Sequence, residues 1–499
     1  PERACLVRGA GAGDAAIRMD TDLPGPEARA AAWPVQHAEM AQPTKYAGEG
    51  PRYTSYPTEP QFCPDFPAEQ YLAWQAREGD HKRAPLSLYL HLPFCRDICY
   101  YCACNKIVTR KKGVSRVYLD HLQKEIVQQS RLVGERRPIT QMHWGGGTPT
   151  YLDNAEITEL MHMLASHFRL VDKRYREYSI EIDPRTVDSD TIALLKGVGF
   201  NRISLGIQDF DPLVQLAVNR IQPYNMVAPL VDSIRAHSFR SLSFDLIYGL
   251  PTQNRCTMQQ TLSKVISLRP DRIACYNYAH LPQRFSSQRA IDRLALPQPA
   301  EKLLLQQMIS QTLQDAGYLY IGMDHYVLPE DELAVALGEG RLQRNFQGYS
   351  LHMADDLLGL GVSAISQMGD FYLQNASDLD HYYRLLDAGE QPINRGCKLS
   401  SDDKLRRYII MSLISALRLD FSDCNLRFGI DFLTKFQAEM TCLQAMAQDG
   451  LVANTADDIV VTQRGRSLLR HRCMLLDDSL HDHGGNRATP RVTGHTQLR

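Results

Sequence analysis

The chain has 499 residues, roughly three times the length of a typical domain, so either one large domain with accessory segments or two to three domains are expected. Hydrophobic residues make up 44% and charged residues 22%, which supplies a buried core and excludes disorder along the whole chain. Because 55 lysines and arginines face 57 aspartates and glutamates, the net charge is −2, which argues against nucleic acid as a partner.

Both ends of the chain have the character of tails. Residues 1–45 are rich in Ala, Gly and Pro without a sustained hydrophobic period, and residues 476–499 are similarly irregular. We expect both segments to be flexible. No run reaches the roughly 20 apolar residues that cross a bilayer, and no apolar segment follows a basic one at the N-terminus. These features predict a cytoplasmic protein with no membrane partner.

Short β-rich runs alternate with amphipathic stretches through the first half of the chain. The predicted strands are residues 86–92, 139–144, 178–182, 202–207, 242–248 and 272–278. The predicted helices between them are residues 117–132, 155–168, 190–198, 226–237 and 258–268. This alternation predicts a parallel sheet with helices outside it, either an incomplete (β/α) barrel or a doubly wound sheet. A barrel places its functional residues at the carboxyl ends of the strands.

The pattern changes after about residue 320. One more β-like run at 318–323 precedes a polar region through residue 349. Helical periodicity dominates residues 400–476, with two short strand-like runs at 451–453 and 459–462. We therefore expect a smaller, mainly helical C-terminal domain of winged-helix type.

Four of the twelve cysteines fall within ten residues, directly after the first predicted strand. Cys95, Cys99 and Cys102 have the spacing C-x3-C-x2-C, and Cys104 follows. In a reducing compartment such a cluster indicates metal or redox chemistry rather than disulfides. Three thiolates can hold three corners of a [4Fe–4S] cluster, which leaves the fourth iron open to a small molecule.

Three other interpretations of these cysteines are open. They could be small buried residues on one helix face, although Pro93 and two tyrosines make a helix unfavourable here. They could form a structural zinc site, although such sites usually combine two separated C-x2-C pairs. They could also be plain reactive thiols, which need no regular spacing.

The cysteine motif resembles the signature of radical S-adenosylmethionine (SAM) enzymes, and the added Cys104 resembles their oxygen-independent coproporphyrinogen III oxidase branch. Further motifs of that branch follow across most of residues 46–475: GPRYTSYP, HWGGGTPTYL, SIEIDPR, GFNRISLGIQDF, FDLIYGLP, YNYAHLP, GMDHY, RNFQGY and LLGLGVSAIS. The resemblance implies an α/β fold, namely an incomplete (β/α)6 TIM-like radical SAM barrel with a smaller, mainly helical C-terminal domain. The expected segments are a disordered tail (1–45), a substrate-covering segment (46–84), the barrel (85–325), a barrel extension with substrate-site residues (326–395), the C-terminal domain (396–475) and a flexible tail (476–499).

The resemblance also implies one [4Fe–4S] cluster and two SAM molecules. Cys95, Cys99 and Cys102 would bind the cluster, whereas Cys104 belongs to the motif without being a ligand. The first SAM would contact Tyr89, Gly146, Glu181 and Ile365. The second would contact Tyr101, Gly147, Thr148, Gln208, Arg220, Asp245 and Ala279. Without the resemblance, Arg220 and Asp245 are explained equally well as structural ion-pair residues.

The implied reaction is an oxidative decarboxylation in anaerobic haem biosynthesis. An electron splits SAM into methionine and a 5′-deoxyadenosyl radical, which removes hydrogen from a propionate of coproporphyrinogen III. Loss of CO2 and one electron leaves a vinyl group, and a second round gives protoporphyrinogen IX. Because the substrate carries four carboxylates, Arg52, Arg344 and Gln347 are candidate contacts, although each arginine could equally be solvated or cap a helix.

The expected partners are a flavodoxin- or ferredoxin-like electron donor and an electron acceptor, and the protein is expected to be a monomer. The basic run 110–112 is interpreted as a solvated loop. The alternative function is that of a haem chaperone with the same core and no decarboxylase activity. Such chaperones typically lack the final cysteine, GPRYTSYP and RNFQGY, all present here. A third interpretation, a non-catalytic iron–sulfur sensor, would not need SAM-binding residues at the strand ends.

Overall fold

The computed structural model describes residues 50–51, 53–77, 84–134, 137–172, 176–351 and 356–480. The strands are β1 (Cys63–Pro64), β2 (Leu86–Leu92), β3 (Phe94–Cys95), β4 (Ile107–Val108), β5 (Pro138–Gly146), β6 (Arg169–Leu170), β7 (Glu177–Ile182), β8 (Arg202–Gln208), β9 (Ser241–Tyr248), β10 (Arg272–Asn277), β11 (Leu319–Gly322), β12 (His325–Val327), β13 (Gln343–Asn345), β14 (Gly348–Ser350), β15 (Asp356–Leu360), β16 (Ile365–Met368), β17 (Phe371–Asn375), β18 (Ile393–Lys398), β19 (Arg418–Asp420), β20 (Val452–Asn454) and β21 (Asp458–Val461). The helices are α1 (Ala68–Gln75), α2 (Val114–Val133), α3 (Asn154–His167), α4 (Ser189–Gly197), α5 (Pro212–Ala217), α6 (Tyr224–Ala236), α7 (Arg255–Leu268), α8 (Pro299–Asp315), α9 (Glu332–Gly338), α10 (Leu379–Asp387), α11 (Ser401–Ser415), α12 (Phe421–Phe428), α13 (Phe432–Lys435), α14 (Gln437–Gln448) and α15 (Leu469–Leu475). None of these described helices combines the length and the apolarity needed to cross a bilayer.

Six parallel strands form the centre of the main sheet, in the order β2, β5, β7, β8, β9 and β10. Their order follows the chain without the reversal that defines a doubly wound sheet. The strand order ends at β1 on one side and at β11 on the other, so the barrel stays open. The predicted incomplete (β/α)6 barrel is therefore confirmed, and the doubly wound alternative is wrong.

The sheet extends beyond these six strands on both sides. β15 pairs in parallel with β2, and β16, β17, β18 and β1 then continue antiparallel to one another. On the other side, β12 and β11 are antiparallel to β10 and to each other. The sequence patterns predicted only β11 among these added strands.

β2 is buried along its whole length, whereas β7, β8 and β9 have one fully buried face and one partly exposed face. In β7, β8 and β9 the two kinds of position alternate along the strand. Residues of the outer helices and of the buried face form one apolar core. In this core Trp144 of β5 packs edge-on against Phe200, which follows α4, with ring centroids 5.0 Å apart. Because successive side chains of a strand point to opposite faces, the partly exposed residues of neighbouring strands share the inner face.

A second apolar core lies around α11 and the antiparallel sheet β19–β21–β20. With α12 to α15 it forms the smaller, mainly helical C-terminal domain that was predicted. The described part of segment 46–84 contacts this domain, since Tyr53 is buried and its hydroxyl donates to Asp477 Oδ2 at 2.8 Å. The same segment pairs β1 with β18 and so connects the edge of the main sheet to the C-terminal domain.

The predicted start of the C-terminal tail at residue 476 is wrong. Leu476 and Asp477 are fully buried, and the Leu476 carbonyl accepts a hydrogen bond from Arg406 Nη1 at 2.8 Å. Because the partners of these residues come from α11 and the N-terminal segment, the composition of the tail could not reveal them. The remainder of the predicted C-terminal tail, from residue 481, and the predicted tail at 1–45 lie outside the described residues.

Candidate functional site

A cleft with a cavity volume of about 190 Å³ opens at the carboxyl ends of the central strands. The predicted cluster ligands Cys95, Cys99 and Cys102 line it together with Cys104. Eight further residues predicted to bind cofactor line the same cleft: Tyr101, Gly146, Gly147, Thr148, Glu181, Gln208, Arg220 and Asp245. The fold therefore brings the cysteine motif and the ends of four strands to one place.

Cys95 ends β3, and Cys99, Cys102 and Cys104 lie on the loop between β3 and β4. These two strands pair in parallel, with Cys95 opposite Val108, and the Thr109 amide donates to the Cys95 carbonyl at 2.9 Å. Within the loop, the Cys102 amide donates to the Cys99 carbonyl at 3.1 Å. No helix forms between β3 and β4, all of whose connecting residues are described. The interpretation of the cysteines as one buried helix face is therefore wrong.

The three predicted ligands have different surroundings. Burial raises the pKa of Cys95 to about 12, and its Sγ lies 3.5 Å from Thr148 Oγ1. A hydrogen bond with Cys104 lowers the pKa of Cys102 to about 6. Cys99 accepts a hydrogen bond from Arg220 Nη1 at 3.5 Å. Thiolates on one loop are the donor set that iron–sulfur clusters require.

The arrangement of the cysteines does not match a zinc site. Among the described residues, no three His, Cys, Asp or Glu side chains converge as they do around a single metal ion. A structural zinc site needs four ligands at roughly 2.0–2.3 Å from one ion. In a [4Fe–4S] cluster each thiolate binds a different iron, so the ligands are spread more widely. The loop therefore fits a cluster better than zinc.

Glycines at the end of β5 let the backbone approach the cysteine loop closely. A Cβ on Gly147 would lie 2.5 Å from the Pro93 carbonyl oxygen, and one on Gly146 would lie 2.8 Å from the His91 ring. Gly146 also has a φ of +112°, which favours glycine. The amides of Gly147 and Thr148 donate to carbonyls on either side of Pro93, both at 2.9 Å. This strand end is therefore the support against which the cysteine loop is positioned.

Two carboxylates on the inner face of the sheet point into the cleft. Glu181 is the penultimate residue of β7, where it accepts hydrogen bonds from the Gly146 amide at 3.3 Å and from His143 Nε2 at 3.1 Å. Asp245 lies on β9 and accepts a hydrogen bond from Ser204 at 2.8 Å. Burial raises the pKa of Asp245 to about 6. The hydrogen bonds to Glu181 and Asp245 fix the orientation of the two carboxylates, which a group that binds a ligand in a defined geometry requires.

Arg220 is buried and lines the cleft. Its Nη2 donates to the Gly206 carbonyl at 2.7 Å, and its Nη1 lies 3.2 Å from Asp183 Oδ2. Asp183 also pairs with Arg185 at 2.6 Å. Although burial opposes ionisation, the two guanidinium groups lower the pKa of Asp183 to about 2. Arg220 is thus a structural ion-pair residue that also contacts Cys99.

Asp183 and Arg185 line the cleft and were not among the predicted site residues. Arg185 Nη2 approaches Cys99 Sγ at 3.6 Å, so it adds a second cation beside this thiol. Both residues belong to the SIEIDPR motif at the end of β7, which was the available signal in the sequence.

Gln208 lies at an irregular point of β8. Its φ is +65°, a left-handed conformation that is rare outside glycine, and the register with β9 shifts between Gly206 and Gln208. Such conformations persist where the surrounding structure holds them, often at functional sites. The bulge turns Gln208 toward the cleft.

Three predicted cofactor contacts do not line the cleft itself. Tyr89 is buried and its ring stacks on His143 with centroids 5.9 Å apart. Ile365 is buried in the same small apolar cluster as Tyr89. Ala279 follows β10, directly after Tyr278, whose amide donates to the Tyr248 carbonyl at 2.8 Å. Tyr89 contacts the cleft indirectly, because His143 binds Glu181.

Of the predicted substrate residues, Arg344 and Gln347 are not among those lining the cleft, and Arg52 lies outside the described residues. Arg344 and Gln347 belong to the hairpin β13–β14 and the turn that joins its strands. The Arg344 guanidinium lies over the Tyr349 ring at 4.7 Å, and Gln347 Nε2 donates to the Leu88 carbonyl at 3.1 Å. Arg344 Nε and Nη1 and Gln347 Oε1 are buried without a hydrogen-bond partner among the described residues.

Comparison with known proteins finds family matches over the barrel that carries the cleft and over the C-terminal domain. The sequence model of the Radical SAM superfamily matches residues 89–265, and that of the HemN C-terminal domain matches residues 399–468. The oxygen-independent coproporphyrinogen III oxidase of Pseudomonas aeruginosa is 48% identical over 435 residues, covering 87% of this chain and 94% of that protein. The Escherichia coli protein of the same description is 45% identical, covering 89% and 95%. A solved structure of coproporphyrinogen III oxidase (HemN) from E. coli, described as a radical SAM enzyme, superposes with a TM-score of 0.85 at 44% identity, covering 89% of this chain and all of that one.

Proposed function

The chain belongs to the oxygen-independent coproporphyrinogen III oxidases of the radical SAM superfamily, and we propose that its cleft performs their oxidative decarboxylation. The enzyme converts two propionate side chains of coproporphyrinogen III to vinyl groups, giving protoporphyrinogen IX in anaerobic haem biosynthesis. The observation that carries this conclusion is that the predicted cysteines and eight predicted cofactor contacts line one cleft. When bound there, a [4Fe–4S] cluster and SAM supply one-electron reduction and removal of a hydrogen atom from the propionate.

We propose that Cys95, Cys99 and Cys102 bind the cluster and that Cys104 does not. The support is the position of the three thiols on one short non-helical segment, at the end of β3 and on the loop that follows, with cations from two other segments beside Cys99. Cys104 has a different role in this scheme, because its hydrogen bond lowers the pKa of Cys102 and favours the thiolate that a metal needs. Three protein ligands leave one iron for the amino and carboxylate groups of SAM.

The first SAM is assigned to the ends of β5 and β7. Gly146 offers backbone without a Cβ, and Glu181 offers a carboxylate that can accept hydrogen bonds from ribose hydroxyls. The Gly146 amide and His143 fix the orientation of that carboxylate before a ligand arrives. Tyr89 and Ile365 are the other two proposed contacts of the first SAM, and both are buried. Tyr89 stacks on His143, which in turn binds Glu181.

The second SAM is assigned to the remaining predicted contacts. Its proposed contacts are Tyr101, Gly147, Thr148, Gln208, Arg220, Asp245 and Ala279. The bulge at Gln208 turns its amide toward the cleft, where it can form polar contacts with an amine or a ribose. Asp245 has a pKa of about 6, so near that pH part of it is protonated and it can donate as well as accept a hydrogen bond. Arg220 already binds Asp183 and the Gly206 carbonyl, so in this proposal it supports the site through those contacts as well as through a ligand carboxylate.

Arg52, Arg344 and Gln347 remain our candidates for the substrate carboxylates. In support, buried polar atoms of Arg344 and Gln347 have no hydrogen-bond partner among the described residues, and such atoms are costly unless a ligand or water binds them.

We further propose a flavodoxin- or ferredoxin-like electron donor, a separate electron acceptor, a monomeric state and a cytoplasmic location.

An anaerobic turnover assay tests this function. Reconstituted protein is incubated with coproporphyrinogen III, SAM and a reductant, and the products are identified by mass spectrometry. We expect successive loss of CO2 and hydrogen from two propionates, giving first a monovinyl and then a divinyl product. The matched control is Cys99→Ser, which should form no cluster and no product. Stoichiometric haem binding without any vinyl product would instead show a chaperone.

A further inference from the structure

A short turn, residues 361–364, joins β15 to β16 and directly precedes Ile365, one of the proposed contacts of the first SAM. Gly361 and Ser363 of this turn both have left-handed backbone conformations, with φ of +100° and +59°. For a serine this conformation is uncommon, and it persists only where the surrounding structure holds it. The shape of the turn, and with it the position of Ile365, therefore depends on the contacts that the turn makes.

Helix α2 packs tightly against this turn. A Cβ on Gly361 would collide with the Tyr118 hydroxyl of α2 and would lie 2.6 Å from the His91 carbonyl oxygen near the end of β2. The Tyr118 hydroxyl donates to that carbonyl at 2.6 Å and accepts a hydrogen bond from the Val362 amide at 3.1 Å. One side chain of α2 thus connects the turn to β2, the strand that leads into the cysteine motif.

Glu125, also on α2, is the centre of the contacts that hold the turn. It lies seven residues after Tyr118, on the same face of the helix, and is fully buried. Glu125 Oε2 accepts hydrogen bonds from the Gly361 amide at 2.7 Å and from the Tyr382 hydroxyl of α10 at 2.6 Å. Its Oε1 accepts a hydrogen bond from Asn375 Nδ2 at 2.7 Å.

Asn375 of β17 connects Glu125 to both ends of the turn. Its Nδ2 donates to the Gly361 carbonyl at 2.8 Å as well as to Glu125, and its backbone amide donates to the Ala364 carbonyl at 2.9 Å. Because Ala364 is the neighbour of Ile365, a continuous set of hydrogen bonds leads from Glu125 to the residue beside this proposed SAM contact.

The surroundings of Glu125 require an acceptor. Each of its three partners donates, and a carboxylate can accept from all of them. None of the three is charged, so burial raises the pKa of Glu125 to about 7. Glutamine has nearly the same volume, but its NH2 group would face either the Gly361 amide or Asn375 Nδ2, which are both donors. A flip of the Asn375 amide would remove the second conflict only by breaking its hydrogen bond to the Gly361 carbonyl.

We propose that Glu125 is a positioning residue for SAM, which holds the turn 361–364, and through it Ile365, in the conformation that the first SAM binds. Glu125 is not among the residues that line the cleft, so it acts through the turn. Ile365 belongs to the same apolar cluster as Tyr89, another proposed contact of this SAM. If the turn is correctly placed in only a fraction of the molecules, the apparent affinity falls by that fraction. The inference rests on the proposed function in one respect, namely that Ile365 contacts SAM.

SAM binding and hydrogen exchange test this inference. Titration of the EPR signal of the reduced cluster with SAM gives the Kd of the SAM that binds the open iron, and hydrogen exchange of the iron-free protein reports on residues 361–365. We expect Glu125→Gln and Asn375→Ala each to raise this Kd, and the exchange rate of the turn, by about 10-fold. Iron content should stay as in the wild type, because the hydrogen bonds that are lost involve the turn and not the cysteines.

Tyr382→Phe is the matched control. It removes a similarly short hydrogen bond to Glu125 and keeps the ring that stacks on Tyr118, but the hydroxyl that it removes does not contact the turn. This variant should have a lower melting temperature, because a buried hydrogen bond is lost. Its Kd for SAM and the exchange rate of residues 361–365 should be those of the wild type.

An unchanged Kd for SAM in Glu125→Gln and Asn375→Ala overturns the inference, and because the two variants alter the same hydrogen bond from opposite partners, one folded variant suffices for the test. An increase of the same size in Tyr382→Phe also overturns it, since loss of stability would then explain the weaker binding. The two proposals fail differently. If the wild type forms vinyl product while the variants bind SAM normally, only the positioning inference fails. If the variants bind SAM more weakly but the wild type forms no vinyl product, the proposed function fails and the positioning inference stands.

Discussion

Replacing Gly147 by alanine tests whether the end of β5 positions the cysteine loop. The added Cβ would lie 2.5 Å from the Pro93 carbonyl oxygen, and an ordinary contact begins at 3.4 Å. The strand end and the loop must therefore separate by about 0.9 Å, the difference between these distances. The atoms in the way are backbone, so no side-chain rotation relieves the contact. Overpacking of this kind costs about 1–3 kcal/mol in stability, and a misplacement of about 1 Å at a reacting site costs about 100-fold in rate.

We expect Gly147→Ala to lose iron on desalting and to turn over about 100-fold more slowly, with only a modest decrease in melting temperature. Iron analysis, visible absorbance and the anaerobic vinyl assay measure these effects. The matched control is Gly197→Ala in α4, where a Cβ has no neighbour within 4 Å among the described residues and φ is not in the left-handed range. That variant should keep its iron and gain up to about 1 kcal/mol of stability. Wild-type iron content and turnover in Gly147→Ala would refute the positioning argument.

Three further predictions concern single groups. Cys104→Ser should retain cluster absorbance and Cys99→Ser should lose it, and the opposite pattern in spectra of the reconstituted proteins would show that the ligands are wrongly assigned. Burial raises the pKa of Glu125 from 4.5 to about 7, so the folded protein binds the carboxyl proton more tightly than the unfolded chain does. The contribution of protonated Glu125 to the free energy of unfolding is therefore complete below pH 4.5, and it declines by about 3 kcal/mol as the pH rises to 7. Denaturation curves should show that decline in the wild type and not in Glu125→Gln, and parallel curves would contradict it. Tyr53→Phe removes the hydrogen bond that the buried Asp477 Oδ2 accepts from the Tyr53 hydroxyl and should lower the free energy of unfolding by about 1–3 kcal/mol, whereas an unchanged melting curve would show that this contact is dispensable.

The strands and helices of the barrel could be predicted from sequence because their signals are local. Each predicted barrel element from residue 86 to 278 lies within three residues of the observed one. The alternation of buried and partly exposed residues in β7 to β9 is a period of two, visible in any short window. The spacing of Cys95, Cys99 and Cys102 is local as well, and the order of motifs along the chain indicated the family.

Other features depend on contacts between residues that are distant in the chain. β15 joins the parallel sheet beside β2, about 270 residues earlier, and nothing in residues 356–360 states which strand they pair with. Likewise, composition placed residues 476 and 477 in a tail, whereas Tyr53 and Arg406 bury them. The same limit applies to Arg185, whose place beside Cys99 arises only when the end of β7 meets the cysteine loop.

The sequence by itself determined which residue types are present, where the chain alternates between strand and helix, and that three thiols share one short loop. The tertiary structure alone decided that this loop rests against Gly147, that two guanidinium groups face Cys99, and that Glu125 of α2 binds the turn between β15 and β16. The physical reason is the separation along the chain over which each kind of interaction acts. Periodicity and motif spacing act between near neighbours in the chain, whereas hydrogen bonds, burial and charge act through space and depend on which distant segments the fold brings together.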